Sequence, residues 1–197
     1  MQYVYMILSL VLGYLLGSVN TALLIGRTMG VDIRTKGSGN AGATNATRVL
    51  GKKVGIFVFL GDFLKGVLAC FIGYLLFKNQ MIAGVGAVLG HIFPLYYGFK
   101  GGKGVSTILG VILFADWRIF LITGILMLIL IGITKIVSIS TLSGLVVMSV
   151  CFILMHKGDY VLICGAVLLT VLTFITHRAN IKRLLNGTEN KFGKKKE

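Results

Sequence analysis

Two glycine-rich segments of this 197-residue chain carry the residues best suited to chemistry. The first is TKGSGNAGATNATR, residues 35–48, and the second is GFKGGKGVST, residues 98–107. Both combine glycines, which allow a ligand to approach the backbone closely, with basic and hydroxyl-bearing side chains. Successive backbone N–H groups in such segments can surround an anion. The pattern therefore predicts phosphate binding.

The first glycine-rich segment adds an arginine and several short polar side chains. Arg48 can hold a phosphate through two parallel hydrogen bonds. The other residues expected to bind phosphate here are Ser38, Gly39, Asn40, Thr44 and Asn45. A flexible connecting loop is the alternative interpretation, but such a loop needs neither so many amides nor the arginine.

The second glycine-rich segment leads into an apolar run, so its last residues would form the first turn of a helix. Free N–H groups and the helix dipole attract anions at such a turn. The spacing G-x-x-x-x-G-K-[ST] of a Walker A loop is not met. The alternative to phosphate binding is that the lysines of this segment only anchor the chain at the cytoplasmic membrane surface. The residues expected to bind phosphate are Lys100, Gly101, Gly102, Lys103, Gly104, Ser106 and Thr107.

Further polar residues lie near or within apolar runs. His177 and Asn180 are three residues apart after the last run, so they would share one helical face. For their basic neighbours, a role in the site and a helix lying on anionic lipid are equally good interpretations. Ser138 either completes the site or caps its helix. Asp62 and Lys65 either form a structural pair or serve a function, as intramembrane charges often do. His91 is expected to be a packing residue.

The apolar composition predicts the elements that must position these residues. Hydrophobic residues make up 56% of the chain, above the usual range of soluble domains, and they form long runs. We predict one all-α, polytopic membrane domain, residues 1–197, with about seven transmembrane segments. A turn at 116–118 would join two short runs, so five full spans plus a shallow hairpin is the alternative. The runs are 3–26, 54–77, 81–97, 105–115, 119–134, 136–155 and 160–176.

The positions of the basic residues predict the orientation in the membrane. The net charge is +14, which could indicate nucleic-acid binding. If the first run crosses inward and each run crosses once, only Lys78, Arg118 and Lys157 fall outside, and Lys65 lies within a run. All other lysines and arginines then fall on the cytoplasmic side, as is typical of membrane proteins. The N-terminus would lie outside, and the polar segments and the basic tail, residues 178–197, would meet at one cytoplasmic face.

These motifs together resemble the bacterial acyl-phosphate:glycerol-3-phosphate acyltransferase family (PlsY). KIVSIS at 135–140 departs most from the family pattern. The resemblance implies a multi-pass enzyme of the bacterial inner membrane with a cytoplasmic active site and no cofactor or metal. It would move a fatty acyl group from acyl phosphate, not acyl-CoA, to the 1-hydroxyl of glycerol 3-phosphate, giving lysophosphatidic acid and phosphate in the first step of phospholipid synthesis. The matching residues are GSGNAGATNATR at 37–48, DFLKG at 62–66, GHIFPLYYGFKGGKGVST at 90–107, Ser138, and H-x-x-N-I-x-R-L at 177–184.

The expected mechanism is direct transfer. The sequence contains no H-x-x-x-x-D motif and no cysteine placed for a thioester, but an acyl phosphate is already activated. The glycerol hydroxyl would attack it directly, and a substrate phosphate oxygen would take the proton, with His177 as the alternative base. Arg48, Lys100 and Lys103 would neutralise and orient the two phosphates. An organic-phosphate transporter and a lipid-bound scaffold are the alternatives from other classes. The expected partners are the two substrates and the lipid bilayer, without nucleic acid.

Overall fold

The computed structural model of the protein describes residues 1–191, which form ten α-helices and no β-strand. The all-α prediction is thereby confirmed, and residues 192–197 of the predicted basic tail lie outside the described part. The helices fall into two compact units, Met1–Ala115 and a second that begins at Asp116. The first unit contains α1 (Gln2–Gly17), α2 (Thr21–Thr28), α3 (Ala43–Leu50), α4 (Lys52–Phe77), α5 (Gln80–Ile92) and α6 (Val105–Ala115). The second contains α7 (Trp117–Thr134), α8 (Val137–Met155), α9 (Tyr160–Thr176) and α10 (Arg178–Leu185).

Four stretches within residues 1–191 are long and apolar enough to cross a membrane. The pair α9 and α10, bent by 61° at its break, is a fifth candidate, whereas α6 is shorter. The expected break between the two short runs is present, because α6 ends at Ala115 and Asp116 caps α7. The count of seven crossings, the orientation of the termini and the single domain stay predictions. The four stretches are Gln2–Thr28, Lys52–Phe77, Trp117–Thr134 and Val137–Met155.

The first apolar run is interrupted where a polar side chain caps a new helix. α1 ends at Gly17, and α2 begins at Thr21. The Oδ1 atom of Asn20 accepts a hydrogen bond from the backbone N–H of Leu23 at 3.0 Å, which satisfies one of the donors left open at the start of α2. The continuous run expected over residues 3–26 is therefore two helices.

Glycines allow the helices of the first unit to pack closely. A Cβ on Gly13 would overlap the carbonyl oxygen of Ala83, and a Cβ on Gly17 would overlap that of Ala87. The spacing Gly-x-x-x-Gly lets the backbones of membrane helices approach each other, here α1 and α5. In the same way, Gly66 of α4 lies directly against the backbone of α6 at its first turn. These contacts fix the end of α5 and the start of α6, which flank the second glycine-rich segment.

Candidate active site

The buried amide of Asn45 shapes the loop of the first glycine-rich segment. Asn45, in the first turn of α3, accepts a hydrogen bond from the N–H of Ser38 at 2.8 Å. Its Nδ2 donates to the carbonyl oxygens of Ile33 and Lys36, both at 3.0 Å. The side chain is 1% exposed. The structure thus gives Asn45 a role in holding the loop, which its residue type alone did not reveal, and its expected contact with a phosphate stays a prediction.

The remaining candidates of the first glycine-rich segment are more accessible. Ser38 and Gly39 are exposed and Asn40 is half-buried. Gly39 has a φ of 72°, a left-handed conformation that glycine adopts without strain. Thr44 and Arg48 are both exposed and lie four residues apart on α3, so they share its solvent-facing side. This helix lies in a region expected to be a loop, and it gives the two side chains a fixed spacing.

The second glycine-rich segment folds over the end of α5. The N–H groups of Gly101 and Gly102 donate to the carbonyl oxygens of Ile92 and His91, both at 3.1 Å. A Cβ on Gly102 would lie 2.6 Å from the carbonyl oxygen of Ala41 and would overlap the ring of His91. Since Ala41 belongs to the first glycine-rich segment, the two segments meet at Gly102, where a larger residue does not fit.

The polar residues of the second glycine-rich segment differ in their exposure. Lys100 is exposed, whereas Gly101, Lys103 and Ser106 are half-buried. Gly104 has a φ of 84° and precedes α6, so Ser106 lies in the first turn of a helix as expected. Thr107 is fully buried, and its hydroxyl has no hydrogen-bond partner within residues 1–191.

Arg34 joins the two glycine-rich segments through contacts that were not foreseen. Its Nη1 donates to the carbonyl oxygens of Tyr97 at 2.9 Å and Lys100 at 3.4 Å. Asp32 accepts from Nε at 3.0 Å and from Nη2 at 2.9 Å. Hydrogen bonding to this guanidinium holds the pKa of the Asp32 carboxyl below its usual range. In the sequence, the D-x-R spacing just before the first glycine-rich segment could have indicated the ion pair of Asp32 and Arg34.

A buried polar cluster lies beneath the second glycine-rich segment. The Nζ of Lys65 is 2.9 Å from Oδ1 of Asp62 and 3.0 Å from Nδ1 of His91, and it donates to the carbonyl oxygen of Val19 at 2.9 Å. The Oδ1 of Asp62 also accepts from the hydroxyl of Thr21 at 3.0 Å. The expected pairing of Asp62 with Lys65 is confirmed. His91, expected to be a packing residue, is a hydrogen-bonded member of the same cluster.

Two candidates in the second unit, Ser138 and Asn180, contact an acidic residue together with Arg183. The carboxylate of Glu189 accepts from Ser138 Oγ at 3.2 Å and from Arg183 Nε at 2.7 Å. It also accepts from Asn180 Nδ2. Sequence reasoning did not single out Glu189, although a glutamate between the basic residues of the tail was a usable signal. Its contacts hold the chain after α10 against α8.

His177 lies at the bend between α9 and α10. Its Nδ1 is 2.9 Å from the carbonyl oxygen of Thr173, and the residue is buried. A carbonyl oxygen can only accept, so this contact assigns the ring proton to Nδ1 and leaves Nε2 as the basic nitrogen of a neutral ring. Asn180 follows three residues later in α10 and is also buried, and the common helical face expected for the two residues stays a prediction.

Known proteins are similar to this chain over nearly its whole length. A family model described as Glycerol-3-phosphate acyltransferase matches residues 7–187. The chain belongs to this family. The glycerol-3-phosphate acyltransferase of Clostridioides difficile (strain 630) is 46% identical over an alignment of 202 positions, which covers 98% of each chain. That of Bacillus subtilis (strain 168) is 44% identical over an alignment of 188 positions, which covers 93% of this chain and 96% of the relative.

Two solved structures of the glycerol-3-phosphate acyltransferase family are also similar to the chain. Both are crystal structures of PlsY, an integral membrane glycerol 3-phosphate acyltransferase, and both are 36% identical. The glycerol 3-phosphate form has a TM-score of 0.89 and covers 95% of this chain and 96% of PlsY. The lysophosphatidic acid form has a TM-score of 0.84 and covers 95% of each. The resemblance to the PlsY family is confirmed, and with it the prediction of a helical membrane enzyme.

Proposed function

We propose that this chain transfers a fatty acyl group from acyl phosphate to the 1-hydroxyl of glycerol 3-phosphate. The observation that carries the proposal is the meeting of two glycine-rich, basic segments at Gly102, fastened by Arg34. Both proposed substrates contain phosphate, which such backbone suits. The solved relatives, described in a glycerol 3-phosphate form and a lysophosphatidic acid form, support the acceptor and the product.

We assign phosphate binding to the cations of the two glycine-rich segments and to backbone donors. Arg48 on α3 offers a planar fork for two phosphate oxygens, while Lys100 and Lys103 add positive charge near the start of α6. Ser38 and Thr44 are exposed donors on the first glycine-rich segment. We propose that this surface faces the cytoplasm at the bacterial inner membrane, where soluble glycerol 3-phosphate can reach it.

An apolar groove on α4 suits the acyl chain of the donor. This open groove has a volume of about 490 Å³ and lies on a helix long enough to span a membrane. Its lining is hydrophobic except at Lys65, which also belongs to the buried cluster beneath the second glycine-rich segment. An amphipathic donor could thus keep its tail on the bundle surface while its head lies among cations. The groove is lined by Gly61, Leu64, Lys65, Val67, Leu68 and Phe71.

The proposed reaction is a direct displacement at the acyl carbon. The 1-hydroxyl oxygen of glycerol 3-phosphate bonds to the carbonyl carbon, and the bond from that carbon to the bridging phosphate oxygen breaks, its electron pair leaving with phosphate. The hydroxyl proton passes to a phosphate oxygen of a substrate. Fixed donors near the developing oxyanion can each contribute about 3 kcal/mol, and orienting two reactants contributes several kcal/mol more.

His177 is the alternative acceptor of the hydroxyl proton, since its Nε2 is the basic nitrogen. Replacing it by alanine and measuring turnover across pH distinguishes the two bases. We expect a modest loss with an unchanged pH profile, because the substrate phosphate remains present. Abolished turnover with normal substrate binding would assign the proton to His177 instead.

The function itself is tested with purified protein reconstituted in lipid vesicles. Phosphate release is followed with acyl phosphate alone, with glycerol 3-phosphate alone, and with both. Release that requires both substrates supports acyl transfer. Vectorial uptake of glycerol 3-phosphate without phosphate release would instead identify a transporter.

A further inference from the structure

We propose that Asp62, Lys65 and His91 form a positioning cluster that holds the second glycine-rich segment in the conformation that binds substrate phosphate. The identity of the substrate rests on the proposed function. The contacts that carry the inference are hydrogen bonds and packing within the first unit and do not depend on the reaction.

The ammonium group of Lys65 fixes the ring of His91. It has three hydrogen atoms and three acceptors, which are the carbonyl oxygen of Val19, Oδ1 of Asp62 and Nδ1 of His91 at 2.9, 2.9 and 3.0 Å. Nδ1 of His91 also lies 3.5 Å from Oδ1 of Asp62. An ammonium group can only donate, so the shorter contact with Lys65 favours Nδ1 as an acceptor and the ring proton on Nε2. Lys65 and Asp62 together therefore fix the orientation of the ring.

His91 contacts the second glycine-rich segment in two ways, so its fixed position also fixes that segment. Its carbonyl oxygen accepts the hydrogen bond from Gly102, and the next carbonyl, that of Ile92, accepts from Gly101. The Nε2 edge of its ring lies so close to Gly102 that no side chain fits between them. A displaced ring would therefore displace the backbone at Gly102, between the two lysines of the segment.

Asp62 connects the same cluster to the first glycine-rich segment. Its Oδ1 accepts from the hydroxyl of Thr21 at 3.0 Å and from the Thr21 N–H at 3.3 Å. The preceding residue, Asn20, donates through Nδ2 to the carbonyl oxygen of Ala41 at 3.2 Å. Ala41 is also the residue that faces Gly102. Both segments are thus supported by elements that one buried carboxylate holds in place.

The polar chemistry of the cluster indicates that it fixes the conformation of the second glycine-rich segment and does not only hold the helices together. Asp62 and His91 are buried, and Lys65 is 9% exposed. Removing an ion pair from water costs several kcal/mol, and well-packed apolar side chains hold helices together at least as well. Hydrogen-bond directions, unlike apolar contacts, specify one arrangement of the groups that they join. A loop that must present several N–H groups to an anion requires such an arrangement.

Two substitutions of His91 separate its contact with Lys65 from its contact with Gly102. In His91→Asn the amide oxygen can replace Nδ1 as the acceptor for Lys65, but the side chain is too short to reach Gly102. In His91→Gln the amide nitrogen can reach the position of Nε2 and preserve the contact with Gly102. We expect His91→Asn to raise the KM for at least one phosphate substrate on the order of tenfold to a hundredfold, and His91→Gln to raise it less.

Ser149→Ala is the matched control for the loss of a buried polar contact. Ser149 hydrogen-bonds to Thr170 Oγ1 at 2.8 Å and to the carbonyl oxygen of Ala166 at 3.2 Å, both in the second unit. The second readout is amide hydrogen exchange of residues 98–104, which needs no substrate. We expect faster exchange in His91→Asn than in the wild-type protein, and unchanged exchange and KM in Ser149→Ala at a comparable loss of thermal stability.

Either of two outcomes would overturn the positioning role. One is wild-type KM and exchange in His91→Asn, and the other is an equal change of both in Ser149→Ala. If His91→Asn does not fold, His91→Gln, which lacks the Nδ1 acceptor for Lys65, is compared with Ser149→Ala, and wild-type KM and exchange in His91→Gln would then overturn the positioning role. A wild-type protein that makes no lysophosphatidic acid would refute the proposed reaction, while the exchange rates would still decide the positioning role.

Discussion

Arg48 has the most clearly defined chemical role of any single residue in the proposed site. Its guanidinium lies on the exposed side of α3, beside the first glycine-rich segment. Lysine would preserve the charge but not the two parallel hydrogen bonds that a guanidinium makes to a phosphate. Substitutions of Arg48 can therefore separate the effect of its positive charge from the effect of its two parallel hydrogen bonds.

Replacing Arg48 by lysine should lower kcat/KM about tenfold, and replacing it by alanine about a hundredfold, because removing one donor from a charged site has effects of this order. Steady-state kinetics with both substrates varied provide the measurement. Lys53→Ala is the control, since Lys53 is exposed at the start of the neighbouring α4 but belongs to no motif. Arg48→Ala within twofold of the control would contradict a role in phosphate binding.

Asp32 provides a prediction on pH. Its pKa is lowered by hydrogen bonding to Arg34, so the folded state binds the proton less readily than the unfolded state. The stability from this pair is present above the unfolded pKa of about 3.9 and is lost as pH falls through the lower folded value. The pair is partly exposed, so the contribution should stay below ~1 kcal/mol.

Asp32→Asn should therefore unfold at a slightly lower temperature than the wild-type protein at neutral pH. The difference should shrink below about pH 4, where the Asp32 carboxylate of the unfolded wild-type protein takes up its proton before that of the folded protein does. Thermal unfolding in detergent at several pH values measures it. A difference that grows as the pH falls would show that the sign of the coupling is wrong.

The sequence predicted residues whose partners are near in the chain better than those whose partners are distant. The pair of Asp62 and Lys65 follows from their helical spacing. The addition of His91 does not, because α5 reaches Lys65 only through the packing of the helices. The same holds for Ser138 and Glu189, which the chain brings together across 51 residues. Residue types show what a side chain can bind, but not which distant group it meets.

The close packing of α1 on α5 predicts that a larger residue between the two helices lowers the stability of the protein. Because a Cβ on Gly13 or Gly17 would overlap a backbone carbonyl of α5, Gly17→Ala must push the helices apart. We expect a loss of about 1–3 kcal/mol, as for other overpacked cores, seen as a lower unfolding temperature.

Gly124→Ala on α7 is the control for the helix pair. No atom lies within 4 Å of a Cβ built on Gly124, so alanine should be neutral or slightly stabilising there through its better helix propensity. Equal unfolding temperatures for Gly17→Ala and Gly124→Ala would contradict the close approach of α1 and α5.

Apolar runs predicted the long helices closely but not the interruptions. The runs 119–134, 136–155 and 160–176 correspond to α7, α8 and α9 with boundaries within two residues. Hydrophobicity determines how long a helix remains favourable in a membrane, whereas caps decide where one begins. The cap at Asn20 and the short α3 depend on such polar contacts, which is why the runs did not show them.

At the scale of the whole molecule, the distribution of basic residues predicts which loops face the cytoplasm. In a variant without native cysteines, a cysteine at Lys157 should react with a membrane-impermeant thiol reagent on intact cells. A cysteine at Lys100 should react only after permeabilisation, because cytoplasmic loops collect lysine and arginine. Labelling of position 100 from outside would refute the orientation and, with it, the cytoplasmic site.

Family membership followed from motifs spread over the whole chain, because the proposed phosphate site would restrict the residue types in several segments at once. The choice of donor does not follow from those motifs by geometry. Glycines and lysines that bind the phosphate of an acyl phosphate also fit other phosphate-bearing donors, so donor specificity must be measured.

The most direct test quantifies both products of one reaction of the reconstituted protein. With acyl phosphate and glycerol 3-phosphate, direct acyl transfer predicts lysophosphatidic acid and phosphate in equal amounts, and no lysophosphatidic acid when acyl-CoA replaces acyl phosphate. Phosphate formed without lysophosphatidic acid, or equal product from acyl-CoA, would contradict the proposed reaction.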